Sequence, residues 1–323
     1  MNGNKQDILF ISKEINEKIN SGEWEQEKVS CLCGKENKEI IAEVDRYGVI
    51  CPTVICRSCG LIYLSPRLTD ESYQHFYGSD AYRRLYDGGE DYRDVSRNKF
   101  HSEHASHVKE LIQTQLNPDK HKTLLEIGCA AGFNFVSLGE LGLEMTGYDY
   151  SPSLVELGRE KGFELFCGSL DDIIDGGKKY DVIVLNHVVE HFTDFIGTMD
   201  KVAKIITPEG FAYIAVPNMH NYSLGQLQNA HTYYFTPRTF KYYMGLAGFI
   251  CGEISVSEGI HMHALCRVGK SKELLQDLGD EYSLMIRRIK IMKRKELLGR
   301  QLEYLGLRSL AEKVYRLITN QRG

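Results

Sequence analysis

The stretch Thr123-Leu-Leu-Glu-Ile-Gly-Cys-Ala-Ala-Gly132 decides the fold of this chain. Its apolar first half is typical of a buried strand, and its two glycines permit a tight turn at which a ligand can approach the backbone. We predict an amphipathic helix through Leu141 after the turn, which places the turn at a helix N-terminus. Downstream, short apolar runs alternate with helical patterns, so the sequence predicts a parallel α/β sheet.

Polar residues follow the second and third predicted strands. The second strand, Glu144–Asp149, ends on a carboxylate, and an acid at this place can accept both hydroxyls of a ribose. The third strand, Phe163–Cys167, leads into a turn that contains Ser169 and Leu170. Ligands of open α/β sheets lie outside the carboxyl ends of the strands. We therefore expect Asp149, Ser169 and Leu170 to face one ligand.

Two later strands carry the candidate acid–base groups. The fifth strand, Gly210–Val216, is followed by a segment from His231 that we expect to cross the mouth of the ligand site. Histidine suits proton transfer because its pKa lies near neutral pH. The alternative for each histidine is a structural role, in which the ring caps a helix, bonds to backbone or packs in a lid. The polar residues after the fourth strand, Tyr180–Asn186, are His187, Glu190 and His191.

Four of the nine cysteines form two close pairs, each followed by a glycine. Cysteines separated by one or two residues can place both thiolates on one tetrahedral ion, and the 22 residues between the pairs allow a hairpin. This spacing predicts a structural zinc ribbon without a catalytic role. The alternative is a redox pair at Cys56 and Cys59, but no βαβ pattern surrounds it. The predicted zinc ligands are Cys31, Cys33, Cys56 and Cys59.

Composition and length restrict the class of protein. The chain has 323 residues, of which 42% are hydrophobic and 26% charged, as expected of a globular protein with two domains or one domain with appendages. No apolar run is long enough to span a bilayer, and Ile8–Ile11 is too short for the core of a signal peptide. We therefore expect a cytoplasmic protein whose cysteines are not paired in disulfides.

The motifs together resemble the class I S-adenosylmethionine-dependent methyltransferases. In combination with the cysteines, they are similar to a branch that has an N-terminal zinc-binding unit and occurs among sugar methyltransferases of deoxysugar and surface-polysaccharide pathways. Two departures are Ala130, where many members have glycine, and the lack of the second α/β domain that C-methylating members carry after the core. The segments that carry the resemblance are Cys56–Arg67, Leu124–Gly132, Tyr180–Phe192 and His231–Pro237.

The resemblance implies a fold and a cofactor. The implied fold class is α/β, a Rossmann-like methyltransferase sheet of seven strands with an N-terminal zinc ribbon and C-terminal helices. Glu126 and Asn186 are implied to face the methionine end of the cofactor, Asp149 the ribose and Tyr150 the adenine. The residues that the resemblance assigns to S-adenosylmethionine are Glu126, Gly128, Gly132, Asp149, Tyr150, Ser169, Leu170 and Asn186.

The resemblance also implies a reaction. This is O-methylation of a sugar hydroxyl in glycan, polysaccharide or nucleotide-sugar biosynthesis, with a small molecule or a glycan as acceptor. His231 is the first candidate for the general base, because the resembled sugar enzymes have their proposed base at this place; His191 is the second and His187 the third. Three alternatives stay open: C-methylation of a ketosugar, methylation of RNA, and a module that binds the cofactor without catalysis. The acidic body of the chain does not favour RNA.

Five tyrosines lie in one stretch between the cysteines and the predicted sheet. Rings with phenol groups suit carbohydrate and other polar ring-shaped ligands, so the stretch is a candidate for substrate contacts, and we select Tyr82. The alternative, which has equal weight, is that these rings pack the zinc unit against the core. The five residues are Tyr73, Tyr77, Tyr82, Tyr86 and Tyr92.

The C-terminal end of the chain is basic, although the chain as a whole has a net charge of −5. Residues Ile286–Gly323 carry eleven Lys or Arg and three Glu, and apolar residues recur among them at helical spacing. We expect this segment to pack on the body of the protein or on a second copy of the chain in a homodimer. Peripheral contact with an anionic membrane is the second expectation, and nucleic acid is the last.

These features divide the chain into five segments. We expect the cofactor and the base in the core segment and the substrate contacts in the linker before it. The segments are an N-terminal helical extension (1–28), a zinc-binding ribbon (29–70), a tyrosine-rich linker and helix (71–120), the S-adenosylmethionine-binding core (121–268) and a basic C-terminal helical segment (269–323).

Overall fold

The computed structural model describes residues 5–86, 99–257, 260–270, 278–306 and 310. The helices in these ranges are α1 (Lys5–Ser21), α2 (Asp70–Gly78), α3 (Asp80–Tyr86), α4 (Lys99–Gln113), α5 (Phe135–Leu138), α6 (Pro152–Arg159), α7 (Leu170–Asp175), α8 (Phe195–Lys204), α9 (Pro237–Leu246) and α10 (Glu281–Tyr304). The strands are β1 (Gln26–Glu27), β2 (Lys38–Val44), β3 (Ile50–Cys56), β4 (Ile62–Leu64), β5 (Arg67–Leu68), β6 (Thr123–Ile127), β7 (Glu144–Asp149), β8 (Leu165–Cys167), β9 (Tyr180–Asn186), β10 (Ile206–Pro217), β11 (Tyr233–Tyr234), β12 (Phe249–Cys251), β13 (Ser255–Ser257) and β14 (His261–Val268). None of the helices in the described ranges has the length and apolar character of a membrane span.

The central sheet has the strand order β12-β14-β10-β9-β6-β7-β8. Strands β6 to β10 are parallel to their neighbours within this group, whereas β12 and β14 are antiparallel at one edge. This mixed sheet confirms the predicted Rossmann-like α/β architecture. Because β6, β7 and β9 are adjacent and parallel, their carboxyl ends meet at one edge of the sheet, where the predicted site residues lie.

The described part of this sheet has eight strands, where the sequence predicts seven. The segment after α9 forms two strands, β12 and β13, and both pair with β14. Cys251 lies opposite Cys266, whereas Ser255 lies opposite His263, so the register shifts by one residue between the two strands. Such an extra residue is a β-bulge, which interrupts the ladder while both strands stay in the sheet.

Helices cover both faces of the central sheet. Successive side chains of a strand point to opposite faces, so Leu124 packs in the core beneath α4 and α5, while its neighbour Leu125 packs in the core beneath α8 and α9. Both leucines are fully buried. Burial on two faces explains why the central strands are continuous apolar runs in the sequence.

A second sheet, of order β11-β4-β3-β2, contains strands from two distant parts of the chain. Strands β2 to β4 belong to the N-terminal segment with the cysteines, whereas β11 follows His231. Tyr233 lies opposite Tyr63, and the N–H of Leu64 donates to the carbonyl oxygen of Thr232 at 3.0 Å. Strand β11 therefore connects the N-terminal sheet to the segment at the edge of the central sheet.

Arg67 makes a further connection between the two sheets. It is 8% exposed, and its guanidinium donates to Oε1 of Glu27 at 2.8 Å and to the carbonyl oxygen of Thr193 at 2.7 Å. The same group donates to the hydroxyl of Tyr233 at 3.3 Å. A buried guanidinium with partners on three segments restricts how these segments can move relative to one another.

Helix α10 begins against the N-terminal sheet. Met285 and Ile289 are buried in a cluster with residues of β3 and β4, whereas Leu297 and Leu298 further along the helix are exposed. The first part of the predicted basic helix therefore packs on the body of the protein. Contact of its remainder with a membrane or with a second copy stays a prediction, and residues 311–323 lie outside the described ranges.

Substitution of Gly60 tests the packing of α10. Gly60 has φ +74°, and a Cβ atom there would lie 2.7 Å from the backbone nitrogen of Tyr282. We expect Gly60→Ala to lower the free energy of unfolding by about 2–4 kcal/mol, because backbone conformation and contact both oppose it. Gly22→Ala is the matched control: its φ is +78° and nothing lies within 4 Å, so we expect a loss of about 1 kcal/mol. Equal losses in urea unfolding would contradict the close packing at Gly60.

Candidate active site

The turn after β6 is tied to the end of β7. Gly128 has φ +71°, and a Cβ atom there would lie 2.5 Å from Cγ2 of Val188, so the turn requires glycine. The N–H of Ala130 donates to Oδ2 of Asp149 at 2.9 Å, and the N–H of Ser151 donates to Oδ1 at 2.8 Å. The predicted glycine turn and the predicted ribose acid therefore form one hydrogen-bonded unit.

Backbone strain in the described residues is concentrated at this edge of the sheet. Ala130 and His187 are the described residues other than glycine with positive φ, at +49° and +57°. Such conformations are unfavourable for a residue with a Cβ atom, and they occur frequently at ligand sites. The two residues follow β6 and β9, which are neighbours in the sheet.

Glu126 is a buried acid beside the turn. It is 2% exposed, its Oε1 accepts a hydrogen bond from Nδ2 of Asn134 at 2.5 Å, and its Oε2 has no hydrogen-bond partner. Burial raises the pKa of Glu126 to about 8; the bond from Asn134 opposes this rise, and the charge of Asp149 adds to it. A buried acid with one unsatisfied oxygen is suited to a cationic ligand. Asn134 is a site residue that we did not predict from the sequence, although its position two residues after Gly132 places it in the same turn.

The other predicted cofactor residues lie at the same edge and are less enclosed. Tyr150 is 69% exposed, and Asn186 is the half-buried last residue of β9. Ser169 caps α7, and both its amide and its hydroxyl donate to Oδ2 of Asp172. Leu170 is the first residue of α7 and packs partly buried against the core. Contacts of these residues with a nucleoside stay predictions.

A second group of polar residues combines two segments of the chain. Glu190 and His191 lie in a 3-10 turn after β9, and His231 lies just before β11; we call these three residues the Glu–His–His group. The ring centroids of His191 and His231 are 4.8 Å apart, with nearly perpendicular planes. The N–H of Thr232 donates to the carbonyl oxygen of Glu190 at 2.8 Å. The two histidines selected from the sequence therefore lie side by side.

Burial shifts the proton affinities of the Glu–His–His group. Glu190 is fully buried; its Oε1 lies 3.1 Å from Nδ1 of His187, and its Oε2 has no hydrogen-bond partner. Burial raises the pKa of Glu190 to about 7. Burial also lowers the pKa of His191 below its ordinary value and that of His231 well below it. Burial therefore favours the neutral form of both imidazole rings.

Tyr77 contacts His191 directly, whereas the predicted Tyr82 lies one ring further away. The hydroxyl of Tyr77 lies 3.0 Å from Nδ1 of His191 and donates to the carbonyl oxygen of Ala230 at 3.2 Å. Tyr82 packs edge-on against the Tyr77 ring, with centroids 5.0 Å apart. A substrate role for Tyr82 stays a prediction, and Tyr92 lies outside the described residues.

The four predicted metal ligands also lie together. The Sγ atoms of Cys31 and Cys59 are 3.4 Å apart, and those of Cys33 and Cys56 are 3.7 Å apart. Tetrahedral zinc, with Zn–S bonds of about 2.3 Å, separates its sulfur ligands by about 3.8 Å, so the arrangement is compatible with one ion. The hydroxyl of Tyr243 in α9 donates to Sγ of Cys59 at 3.0 Å. This cysteine cluster is therefore in direct contact with a helix of the central sheet.

Comparison with known proteins relates part of this chain to methyltransferases. Residues 100–251 match a family model described as a methyltransferase domain. A ubiquinone biosynthesis O-methyltransferase of Azorhizobium caulinodans is 24% identical over 43% of this chain and 63% of that protein. One of Chelativorans sp. is 30% identical over 32% of this chain and 43% of that protein. The chain thus spans less than two thirds of the length of these relatives.

A solved structure shares the fold. The Burkholderia thailandensis 1,6-didemethyltoxoflavin-N1-methyltransferase, with bound 1,6-didemethyltoxoflavin and S-adenosylhomocysteine, superposes with a TM-score of 0.50 at 16% identity, covering 65% of this chain and 96% of that chain. The strand order and the superposition show that the described core of the chain has the fold of class I methyltransferases, and residues 100–251 are similar to the methyltransferase domain family. Among curated proteins, its relatives include O-methyltransferases.

The buried acid at position 126 predicts a pH dependence of stability. The folded protein holds the proton of Glu126 up to about pH 8, whereas the unfolded chain releases it near pH 4.5. Stability therefore falls as the pH rises between these values. We expect Glu126→Gln to reduce this fall in urea unfolding between about pH 5 and about pH 8, and the exposed Glu160→Gln to leave it unchanged. An identical pH profile in wild type and Glu126→Gln would contradict the burial of this acid.

Proposed function

We propose that the protein is an S-adenosylmethionine-dependent O-methyltransferase. The observation that carries this proposal is the packing of Val188 directly on Gly128. Val188 precedes the turn with Glu190 and His191, so the Glu–His–His group lies next to the glycine turn that would hold the methyl donor. The curated relatives are named O-methyltransferases, which supports oxygen as the accepting atom.

In this proposal, the carboxyl edge of β6, β7 and β9 holds the donor. Glu126 binds the methionine end of the donor, because the positive charge of this end would pair with Oε2 of Glu126, which has no hydrogen-bond partner. Gly128 and Gly132 let the same end approach the backbone. Asp149 takes the ribose, because a carboxylate oxygen that accepts one N–H can accept a second donor. The residues proposed for the remainder of the donor are Tyr150, Ser169, Leu170 and Asn186.

Methyl transfer from a sulfonium is an in-line displacement. The acceptor oxygen bonds to the methyl carbon and its proton leaves, while the C–S bond breaks and its electrons return to sulfur. We assign activation of the acceptor hydroxyl to His231 and His191, because both lie at the point where acceptor and donor would meet. A positioned group of this kind contributes on the order of 10²–10⁴-fold to the rate.

The acceptor that we propose is a sugar hydroxyl. The ring cluster of Phe76, Tyr77 and Tyr82 beside His191 supports this choice, because phenol rings combine apolar faces with hydrogen-bonding edges; Tyr82 is the proposed contact. The second candidate is an intermediate of ubiquinone biosynthesis, which the names of the curated relatives favour. Isotope-labelled donor, offered with sugar nucleotides, glycans and phenolic ring compounds, tests both, since the class of the labelled product identifies the acceptor.

We further propose that the cysteine cluster binds a structural zinc ion. Backbone N–H groups of Ser58 and Cys59 point at the sulfur of Cys56, and such bonds stabilise thiolate ligands. A bound ion would supply folding energy to this unit. Through Tyr243 and β11, the unit would also support the position of His231. The proposed ligands are Cys31, Cys33, Cys56 and Cys59.

Two substitutions separate donor binding from chemistry. We expect Asp149→Ala to weaken S-adenosylmethionine binding by about tenfold or more, because the ribose loses a charged acceptor. We expect His231→Ala to lower turnover by roughly 10²-fold with little change in donor affinity. Calorimetry with S-adenosylhomocysteine and initial rates with labelled donor measure the two effects, with the exposed Glu160→Ala as control. Loss of S-adenosylhomocysteine binding in folded His231→Ala would move this residue to the donor site.

Removal of one thiolate tests the zinc site. We expect Cys56→Ser to lose about one zinc ion per chain and several kcal/mol of stability, because the remaining ligands no longer close the tetrahedron. Cys167→Ser, at an exposed cysteine outside the cluster, is the control and should keep both. Mass-spectrometric metal analysis and urea unfolding measure the change. A cobalt-loaded wild type without sulfur-to-cobalt charge-transfer absorption would argue against the site.

A further inference from the structure

The Glu–His–His group has the composition of a metal site. Its ligand atoms, one from each residue, lie within 4.8 Å of one another. Glu190 is fully buried, and its Oε2 has no hydrogen-bond partner. A carboxylate oxygen without a partner in the protein interior is costly, so this position is suited to a cation.

Outer contacts orient two of the three donors. Tyr77 donates its hydroxyl proton to the carbonyl oxygen of Ala230, so its oxygen can accept the Nδ1–H of His191 at 3.0 Å. The Nε2 atom of His191 then presents a lone pair to a ligand. Nδ1 of His187 lies 3.1 Å from Oε1 of Glu190, the oxygen opposite the unpaired one. Metal-binding histidines and carboxylates commonly have outer partners of this kind.

His231 supplies the third donor. Its position is set by the pairing of β11 and by the bonds from Thr232 to the carbonyl oxygen of Glu190, at 2.8 Å from the N–H and 2.9 Å from the hydroxyl. The side-chain amide of Gln228 contacts both ring nitrogens of His231. A cation at one ring nitrogen would displace this amide nitrogen, and the other ring nitrogen, then an N–H donor, would need the side-chain oxygen of Gln228 as its acceptor.

We propose that Glu190, His191 and His231 bind a divalent first-row cation, such as zinc or manganese, that also binds the acceptor hydroxyl. Two imidazole nitrogens and one carboxylate oxygen suit these ions, and three protein ligands leave positions open for substrate oxygen. The inference rests on the proposed function and deepens it, because the two histidines then act through the cation.

The cation supplies the activation step. It makes the bound hydroxyl more acidic, so that its proton leaves to water at neutral pH. The oxygen then bonds to the methyl carbon of the sulfonium, the C–S bond breaks, and its electrons return to sulfur. The acceptor favoured by this arrangement is one with two neighbouring oxygens, because both can occupy open positions of the same ion. A vicinal diol of a sugar has this chemistry.

The test is a titration of the full chain, with zinc in the cysteine cluster, by Mn²⁺ alone. Mn²⁺ prefers nitrogen and oxygen ligands to sulfur, so it distinguishes the two sites. The loss of the electron paramagnetic resonance signal of free Mn²⁺ measures binding without donor, acceptor or turnover. We expect about one Mn²⁺ per chain in the wild type.

Variants locate the ion. We expect Glu190→Gln to weaken Mn²⁺ binding by about 10²-fold, because it removes a charged ligand, and Tyr77→Phe to weaken it by roughly tenfold through the outer partner of His191. Tyr77→Phe removes a single hydroxyl, so it can still locate the Mn²⁺ ion if Glu190→Gln fails to fold. His75→Ala is the matched control, an exposed histidine on the same helix as Tyr77, and it should bind Mn²⁺ as the wild type does.

The outcomes separate this inference from the proposed function. A wild type that binds no Mn²⁺ overturns the metal site, even if S-adenosylhomocysteine binds. Unchanged Mn²⁺ affinity in folded Glu190→Gln and Tyr77→Phe places the ion elsewhere and overturns the assignment. A protein that binds Mn²⁺ at this site but not S-adenosylhomocysteine keeps the metal site and overturns the proposed function.

Discussion

The pairing of β11 with β4 is the interaction on which the candidate site depends. Tyr233 and Tyr234 add a strand to the N-terminal sheet, and backbone pairing at this point determines where the preceding His231 lies. The ring of His231 thereby comes within 4.8 Å of His191, which follows a strand of the central sheet. A connecting segment without such pairing would be a surface loop with more freedom. The N-terminal unit with the cysteines is therefore part of the framework of the site.

The chemical character of this site comes from buried carboxylates whose oxygens do not all have hydrogen-bond partners. Glu126 and Glu190 are both buried, and each has one carboxylate oxygen with a partner and one without. In water both oxygens would be hydrated, whereas in the interior an unsatisfied oxygen carries a free-energy cost that a cationic ligand relieves. In our proposals the methionine end of the donor meets Glu126 and a metal ion meets Glu190. On both sides of the transferred methyl group, a cationic ligand would then relieve the cost of a buried carboxylate oxygen without a hydrogen-bond partner.

Much of the core follows from residue patterns, and the deviations have physical reasons. Strands β7 and β9 have the predicted bounds. For β9 the reason is a largely apolar run that is mostly buried, as expected of a strand covered on both faces. Strand β8 begins at Leu165 rather than at Phe163, whose ring packs against Phe135. β12 and β13 are separated by a one-residue shift of register against β14. The pattern of apolar residues did not predict this shift. From the sequence we selected Tyr82 rather than Tyr77, because no local pattern shows which of the tyrosine rings contacts His191.

The sequence by itself determined the α/β class, the glycine turn with Asp149 and the two cysteine pairs. Each of these depends on spacing within a short stretch of chain, and short-range geometry is encoded directly in the order of residues. Only the tertiary structure decided that Glu190, His191 and His231 lie together and that Tyr77 contacts one of them. Those contacts join segments far apart in the chain, and they depend on the pairing of β11, which follows His231, with β4 of the N-terminal sheet. No local pattern contains that information.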